Sequence, residues 1–310
     1  MGVSSSQPRI RLGTRSSPLA RWQAEWVSAR LAALGIAVEM IHITTQGDVK
    51  TGPLGQIGGQ GLFTKEIQRA LLDNEIDLAV HSLKDLPTAE VPGLAIAAVP
   101  ARESVNDVLV GPFRLLDELP EGARIGTGSL RRRAQLLNQR PDLKLLEIRG
   151  NVDTRLKKLD AGDYDAIVLA QAGLSRLGLA DRITYIIPPQ VMLPAVGQGA
   201  LGLETRADDT TTRQLLQPLN HPTTFAAITA ERTLLNSLRA GCLAPVGAWA
   251  RLEKNLLQMD AVVLHPDGTA KLTATGTAPA SDAALLGQRV ADDLLSRGAT
   301  ELITAARGNA

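Results

Sequence analysis

A single cysteine, Cys242, in 310 residues excludes an internal disulfide and any metal site built from several thiolates. Histidine is scarce too, and His42, His81, His221 and His265 show no metal-ligand spacing. Aromatic residues make up only 3% of the chain, which argues against stacking platforms for single-stranded nucleic acid. Neither sign of charge dominates: the net charge is +1 with 21% charged residues, so neither disorder nor a broad polyanion-binding surface is indicated. No apolar run is long enough to span a bilayer. The stretch from Met1 to Pro8 is polar and lacks the basic and apolar regions of a secretory signal. The expectation is a soluble, cytoplasmic globular protein of two or three domains.

What is present centres on His81-Ser82-Leu83-Lys84-Asp85, followed by Leu86-Pro87. The preceding Ile76–Val80 run reads as a buried strand, which Pro87 prevents from continuing. In open α/β sheets, ligands collect beyond the carboxyl ends of strands. Lys84 and Asp85 there are candidates for proton transfer or for holding a charged substrate. A polar turn that merely ends a strand is the other reading.

Upstream, Arg9–Gly13 predicts a first strand. Ser17 is an N-cap with Pro18 at the first position of a helix reaching Leu34, where Gly35 can end it. Trp22, Trp26, Ala29 and Ala33 can share that helix's apolar face. Val38–Thr44 predicts a second strand. The stretch Asp48–Gly61 is too glycine-rich for regular structure, with Gly52, Gly55, Gly58, Gly59 and Gly61; the expectation is either a mobile lid or a disordered connection. A helix over Leu62–Asn74 and a strand over Leu94–Val99 complete a pattern that predicts parallel α/β architecture with crossovers.

A second α/β domain begins near Glu103–Asp107, with strands at Val108–Val110, Arg124–Gly126, Leu143–Ile148 and Tyr164–Ala170. Ser129 predicts the cap of a helix whose first turn holds Arg131, Arg132 and Arg133. Cations sit badly at a helix N-terminus, so an anion site formed with the Thr127-Gly128-Ser129 loop explains their placement better than a solvated face. Arg149 and Arg155 flank another helix start, and Arg15 lies near Ser17. A helix over Gln171–Leu179 carries Arg176. Arginines repeated at helix starts suggest a ligand with several carboxylates or phosphates. Leu193–Ala200 crosses back to a first-domain strand at Gly199–Glu204. Beyond Pro218, Thr223 or Thr224 caps a helix to Leu238. Three antiparallel strands follow (Val246–Leu252, Leu257–Leu264, Lys271–Gly276), with a turn at Asp267-Gly268. A helix over Ser281–Arg297 closes the chain.

Several runs together resemble porphobilinogen deaminases (hydroxymethylbilane synthases): Gly13-Thr14-Arg15 through Trp22-Gln23, Gly61-Leu62-Phe63 with Lys65-Glu66, and His81–Asp85. The likeness continues through Gly126–Arg132, Arg149–Arg155, Leu193–Ala200 and Gly241-Cys242 with Pro245. The fold this resemblance implies is α/β, with two domains like those of periplasmic binding proteins and a smaller C-terminal α+β domain. The boundaries are 1–104 plus 196–218, 105–195 and 219–310. The activity it implies joins four porphobilinogen molecules head to tail, releasing ammonia, to give hydroxymethylbilane. The primer is a dipyrromethane cofactor bound through a thioether to Cys242.

The resemblance also implies roles. Asp85 is the catalytic carboxylate, stabilising the azafulvenium cation left when ammonia departs. Lys84, Ser82, Thr127, Ser129, Arg131, Arg132 and Arg155 bind the cofactor. Arg15, Ser17, Gln23, Arg149, Arg176 and Gln198 bind substrate. A monomer without metal, membrane or nucleic acid is implied. Two departures stand out. Gln56 and Gln60 replace lysines common in the family's glycine-rich loop, and Arg239-Ala240 replace an acidic residue and glycine before Gly241-Cys242. Other readings stay open: a non-enzymatic polycarboxylate receptor on the same two-lobed fold, a Schiff-base enzyme using Lys84, and a cysteine hydrolase at Cys242.

Overall fold

The structure, a computed structural model, describes residues 8–45, 64–241 and 244–308. The glycine-rich stretch with Gln56 and Gln60, and Cys242 itself, lie outside the described residues. In chain order the elements begin β1 (Arg9–Thr14), α1 (Pro18–Ala33), β2 (Ala37–His42), α2 (Lys65–Leu72), β3 (Leu78–Ser82) and β4 (Leu94–Ala98). There follow β5 (Asp107–Val110), β6 (Arg124–Gly126), α3 (Leu130–Gln139), β7 (Lys144–Leu146), α4 (Val152–Asp160), β8 (Ala166–Ala170), α5 (Gln171–Arg176) and β9 (Tyr185–Ile187). The last are β10 (Leu201–Arg206), α6 (Thr210–Leu216), α7 (Pro222–Ser237), β11 (Val246–Glu253), β12 (Leu256–Leu264), β13 (Lys271–Ala278), α8 (Ala283–Ser296) and α9 (Ala299–Gly308).

Two compact units result, Met1–Ala101 with Ala200–Phe225, and Arg102–Gly199 with Ala226–Ala310. The first holds a five-stranded sheet in the order β2-β1-β3-β10-β4. Strand β1 pairs in parallel with β2 and β3, but β10 runs antiparallel to β3 and β4. The sheet is therefore mixed, which corrects the expectation of parallel pairing. The short-range helix-strand rhythm announces crossovers, but β10 comes from a distant part of the chain and enters between β3 and β4 in the opposite sense. The same happens in the second unit: in the order β7-β6-β8-β5-β9, strand β5 is antiparallel to both neighbours.

On α1, Ser17 caps as expected, accepting the Ala20 amide at 3.4 Å. The buried face is Gln23, Ala24, Val27 and Leu31. Ala29 and Ala33 are exposed, and Trp26 lies at the margin with Arg30 stacked over its ring at 4.7 Å. The reason is size and shape: Ala24 and Val27 let the helix approach the sheet, whereas an indole at the same place would hold it off. A second departure is the start of α7. His221 Nδ1 accepts the Thr224 amide at 3.3 Å, and the helix begins at Pro222. Pro222 lacks an amide hydrogen, so it suits the first helical position.

The second unit also contains the three-stranded antiparallel sheet β11-β12-β13. Its inner face carries Ala248, Ala250, Met259, Ala261 and Val263, and packs on Leu234, Leu286, Val290 and Leu294 from α7 and α8. The turn before β13 contains Gly268 at φ +79, where a Cβ would come within 2.5 Å of the Asn138 amide. The Asp267-Gly268 turn thus also serves as a contact with α3. The chain does not close at Arg297. Gly298, at φ +93, turns it into α9, whose Ala299, Ile303 and Ala306 are buried. That helix went unread because the glycine ends the preceding periodic run.

Candidate functional site

In the first unit, β3 extends two residues beyond the expected Val80, because β10 pairs Gly202 with His81 and Leu201 with Ser82. Leu83–Asp85 then forms one 3₁₀ turn, closed by the Leu86 amide on the Leu83 carbonyl at 3.2 Å. Leu83 is the anchor of this turn. Its amide donates to the Ala200 carbonyl at 3.0 Å, and its side chain is buried over Gly202. A Cβ at Gly202 would stand 2.6 Å from Leu83 Cδ2. Glycine is required there so that the leucine can tuck in and fix the direction of its neighbours. With Leu83 held inside, Asp85 is exposed and Lys84 half-buried. Gln23, buried on α1, donates from Nε2 to Ser82 Oγ at 2.8 Å. The fold thus brings together Gln23, Ser82, Lys84 and Asp85, with Ser17 at the start of the same helix.

Beneath this turn lies a polar network that went unread in the sequence. His81 Nε2 is 2.9 Å from Glu204 Oε2, and Gln68 Nε2 donates to Glu204 Oε1 at 3.0 Å. All three side chains are buried. They tie α2, β3 and β10 together immediately below the Lys84-Asp85 turn.

In the second unit, Ser129 caps α3, accepting the Arg132 amide at 3.4 Å, and Thr127 Oγ1 accepts the Ser129 amide at 3.2 Å. The arginines of the first turn do not share one fate. Arg133 is exposed and donates to the Leu145 carbonyl. Arg131 and Arg132 turn inward onto Asp107, which is fully buried at the start of β5. Arg131 Nη1 reaches Asp107 Oδ2 at 2.7 Å, Arg132 Nε reaches Oδ1 at 2.9 Å, and Gln198 Nε2 reaches Oδ1 at 3.0 Å. Buried cations at a helix start are thereby explained, at least in part, by a carboxylate from another strand. The one sequence signal was an aspartate opening the apolar run Val108–Val110.

Burial alone would push the Asp107 carboxyl up, but the Arg131 and Arg132 charges hold it well below the usual carboxylate range. Arg132 is lowered as well, there because burial outweighs the pull of Asp107. In the first unit, Asp77 behaves like Asp107. Burial raises it, but hydrogen bonds from Arg11 and Arg206 bring it down to about 2. Both carboxylates are depressed in the folded state, so the unfolded chain binds more protons in acid. Their contribution is complete above the unfolded value of about 4 and is lost as pH falls toward the folded values. The expected result is a urea midpoint that is flat near neutrality and drops between about pH 4 and 2. Asp77→Asn should flatten that drop, and an unchanged slope would dismiss the Asp77 contribution.

Three further arginines of the second unit make other contacts. Arg149 pairs with Glu147, Arg155 Nε donates to the Gly150 carbonyl at 2.9 Å, and Arg176 Nη2 donates to the Gly199 carbonyl at 2.7 Å. Asn151 caps α4 between the first two, accepting the Thr154 amide at 3.0 Å. Burial lowers the Arg176 pKa while Glu103 works to raise it. Nearby, Glu231, fully buried on α7, accepts from Arg102 Nη1 and Nη2 (2.6 and 3.0 Å), the Gly197 amide (2.8 Å) and the Ala250 amide (2.9 Å). This fixes the segment that presents Gln198.

Among the described residues no group of His, Cys, Asp and Glu could hold a metal ion. The donor chemistry is instead that of a carboxylate binder. Two guanidinia face one carboxylate at Asp107, and Arg131 Nε is buried without an acceptor among the described residues. A carboxylated dipyrromethane fits such a set.

The fold defines a two-unit α/β protein with a C-terminal antiparallel sheet; its first unit carries an exposed carboxylate at a strand end, and its second a buried arginine cluster at a helix start. Residues 10–214 match "Porphobilinogen deaminase, dipyromethane cofactor binding domain" and residues 225–296 match "Porphobilinogen deaminase, C-terminal domain". A porphobilinogen deaminase of Syntrophotalea carbinolica is 48% identical over 304 residues, covering 97% of this chain and 96% of that protein. Among solved structures, lipoprotein Tp32 of Treponema pallidum is similar with a TM-score of 0.45 at 15% identity, over 68% of this chain and 90% of that one. The VFT2 domain of Bordetella pertussis BvgS gives 0.42 at 18% identity, over 67% and 85%. The chain belongs to the porphobilinogen deaminase family, transferases that make hydroxymethylbilane with a dipyrromethane cofactor.

Proposed function

We propose that this chain assembles hydroxymethylbilane from four porphobilinogen molecules with Asp85 as its catalytic carboxylate and Cys242 as the attachment point of the cofactor. The observation that carries the assignment of Asp85 is its exposure on a turn whose other members are pinned: Leu83 by Ala200 and Gly202, Ser82 by Gln23. A fixed, solvent-facing carboxylate opposes the positive charge that develops as ammonia leaves the aminomethyl group, and can take a proton from a pyrrole nitrogen. Lys84 beside it supplies a cation for a ring carboxylate. When bound, the dipyrromethane supplies the pyrrole to which the first substrate unit is joined.

Arg131, Arg132 and Arg155, with Thr127, Ser129 and Ser82, are assigned to the cofactor. Arg15, Arg149 and Arg176, with Ser17, Gln23 and Gln198, are assigned to substrate. Every pyrrole unit brings an acetate and a propionate, and forked guanidinium donors suit both. We further infer three domains, 1–104 with 196–218, 105–195 and 219–310. Three separate sheets support this, the second and third lying in one compact unit. A cytoplasmic monomer acting without nucleic acid accords with one cysteine, low aromatic content and near-zero net charge; sedimentation and cell fractionation test it.

The deciding experiment is the intact mass of the denatured protein beside Cys242→Ser. The expected result is an excess equal to two pyrrole units in the wild type and none in the variant. A wild type that carries no adduct, and gains none on incubation with porphobilinogen, would rule the reading out in favour of the receptor.

A further inference from the structure

We propose that Asp107 is a positioning residue for the anion site: it holds the Arg131 and Arg132 guanidinia and the Gln198 amide in one array and cancels one of the two charges, leaving Arg131 to meet a single ligand carboxylate. The proposal rests on the reading of this chain as a binder of pyrrole carboxylates. It goes further in separating two neighbouring arginines that the family resemblance treats alike.

The separation comes from the donor inventory. Arg132 is committed inside the protein: Nε and Nη2 both reach Asp107 Oδ1, at 2.9 and 2.8 Å, and Nη1 reaches the Val168 carbonyl at 2.8 Å. Arg131 uses Nη1 for both Asp107 Oδ2 and the Leu193 carbonyl, at 2.7 and 2.6 Å. Its Nε, buried with the rest of a side chain that is 4% exposed, has no acceptor among the described residues. A buried donor of this kind costs free energy unless something accepts from it. Gln198 shows the complementary feature. Its Nε2 is fixed by the Val105 carbonyl at 2.7 Å and by Asp107 at 3.0 Å, which orients the amide and leaves the buried Oε1 as an unused acceptor.

Asp107 therefore touches three residues assigned to ligand binding through four separate donor atoms, Arg131 Nη1, Arg132 Nε and Nη2, and Gln198 Nε2. Two guanidinia against one carboxylate leave one positive charge in a water-poor site. One carboxylate of the ligand balances it; without Asp107 the array would hold two uncompensated cations, free to repel each other out of register. The array offers a donor at Arg131 Nε and an acceptor at Gln198 Oε1. It thus suits a ligand presenting a carboxylate together with an N–H or O–H group, as a pyrrole unit with its acidic side chain does.

The test compares wild type, Asp107→Asn and the double variant Asp107→Asn/Arg132→Gln, each prepared as holoenzyme. Asparagine keeps the shape and one acceptor but loses the charge. The double variant removes the carboxylate and its committed arginine together, avoiding an unpaired buried cation. Circular dichroism establishes folding. Intact mass gives the fraction carrying the two-pyrrole adduct, and KM and kcat for porphobilinogen are measured on the loaded fraction. For Asp107→Asn the adduct-bearing fraction should fall, and KM should rise roughly tenfold to a hundredfold with kcat changed far less. The double variant should show the same KM effect with its fold restored if the single one lacks it. Full adduct and unchanged KM in a folded variant would overturn the proposal while leaving the family function intact. If neither variant folds, Asp107 is a determinant of the fold alone, and the proposal is equally overturned. A wild type lacking both adduct and turnover would instead dismiss the underlying reading.

Discussion

Asp85→Ala is expected to lower kcat by about a thousandfold or more while leaving the fold and cofactor attachment in place. The magnitude follows from the loss of both charge stabilisation and proton handling, since positioned acid–base groups alone contribute about 10²–10⁴-fold. Preservation of the fold follows from the position of the side chain. Asp85 is exposed on the 3₁₀ turn, and the hydrogen bonds that hold that turn come from the Leu83 and Leu86 backbones. Alanine removes none of them. Asp85→Asn should be nearly as inactive, because the amide keeps the shape but not the charge. The measurement is steady-state turnover of porphobilinogen beside circular dichroism and intact mass. Near-normal turnover in a folded, loaded Asp85→Ala protein would remove Asp85 from the catalytic role and return attention to Lys84. Borohydride trapping would then decide on a Schiff base: no adduct, with activity surviving in Lys84→Arg, would exclude it.

The second large effect concerns stability. Glu231→Leu should destabilise the protein by about 3–5 kcal/mol, the range for breaking a buried ion pair from one side. Glu231 is fully buried and satisfies both Arg102 amino groups and two backbone amides, Gly197 and Ala250. Leucine would leave the Arg102 guanidinium, itself 10% exposed, without its carboxylate, and would strand two amides. Because Gly197 precedes Gln198, whose carbonyl accepts from Arg102 Nε at 2.7 Å, the loss should also loosen the segment carrying Gln198, which we propose binds substrate. Urea unfolding of the single variant and of Arg102→Leu/Glu231→Leu makes the check. The double variant should recover part of the loss, since a paired removal leaves no orphaned charge. A loss below about 1 kcal/mol for Glu231→Leu would mean that water replaces the carboxylate.

Most of the elements and much of the candidate site were legible because their signals are local. Ser17 followed by Pro18, and Ser129 before an apolar-periodic run, announce helix starts within four residues, and both side chains cap their helices. Alternating apolar residues marked the three C-terminal strands, whose antiparallel register pairs Val246 with Val263 and Leu264 with Lys271. The Trp22–Ala33 stripe failed where a local rule met packing: periodicity alone cannot say which of two overlapping faces is small enough to approach a sheet.

What the sequence by itself determined is most of the strands and helices, the presence of arginines at helix starts, and the ordered set of motifs that places the chain in its family. Only the tertiary structure decided who answers those arginines. Asp107 meets Arg131 from 24 positions away, Glu204 meets His81 from 123, and Glu231 meets Arg102 from 129. It also decided that β10 enters antiparallel between β3 and β4 and so carries Gly202 under Leu83. The physical reason is the range of the forces involved. Caps, turns and amphipathic periods are settled by neighbours along the chain. A buried charge, by contrast, needs a partner that only the path of the whole chain can deliver.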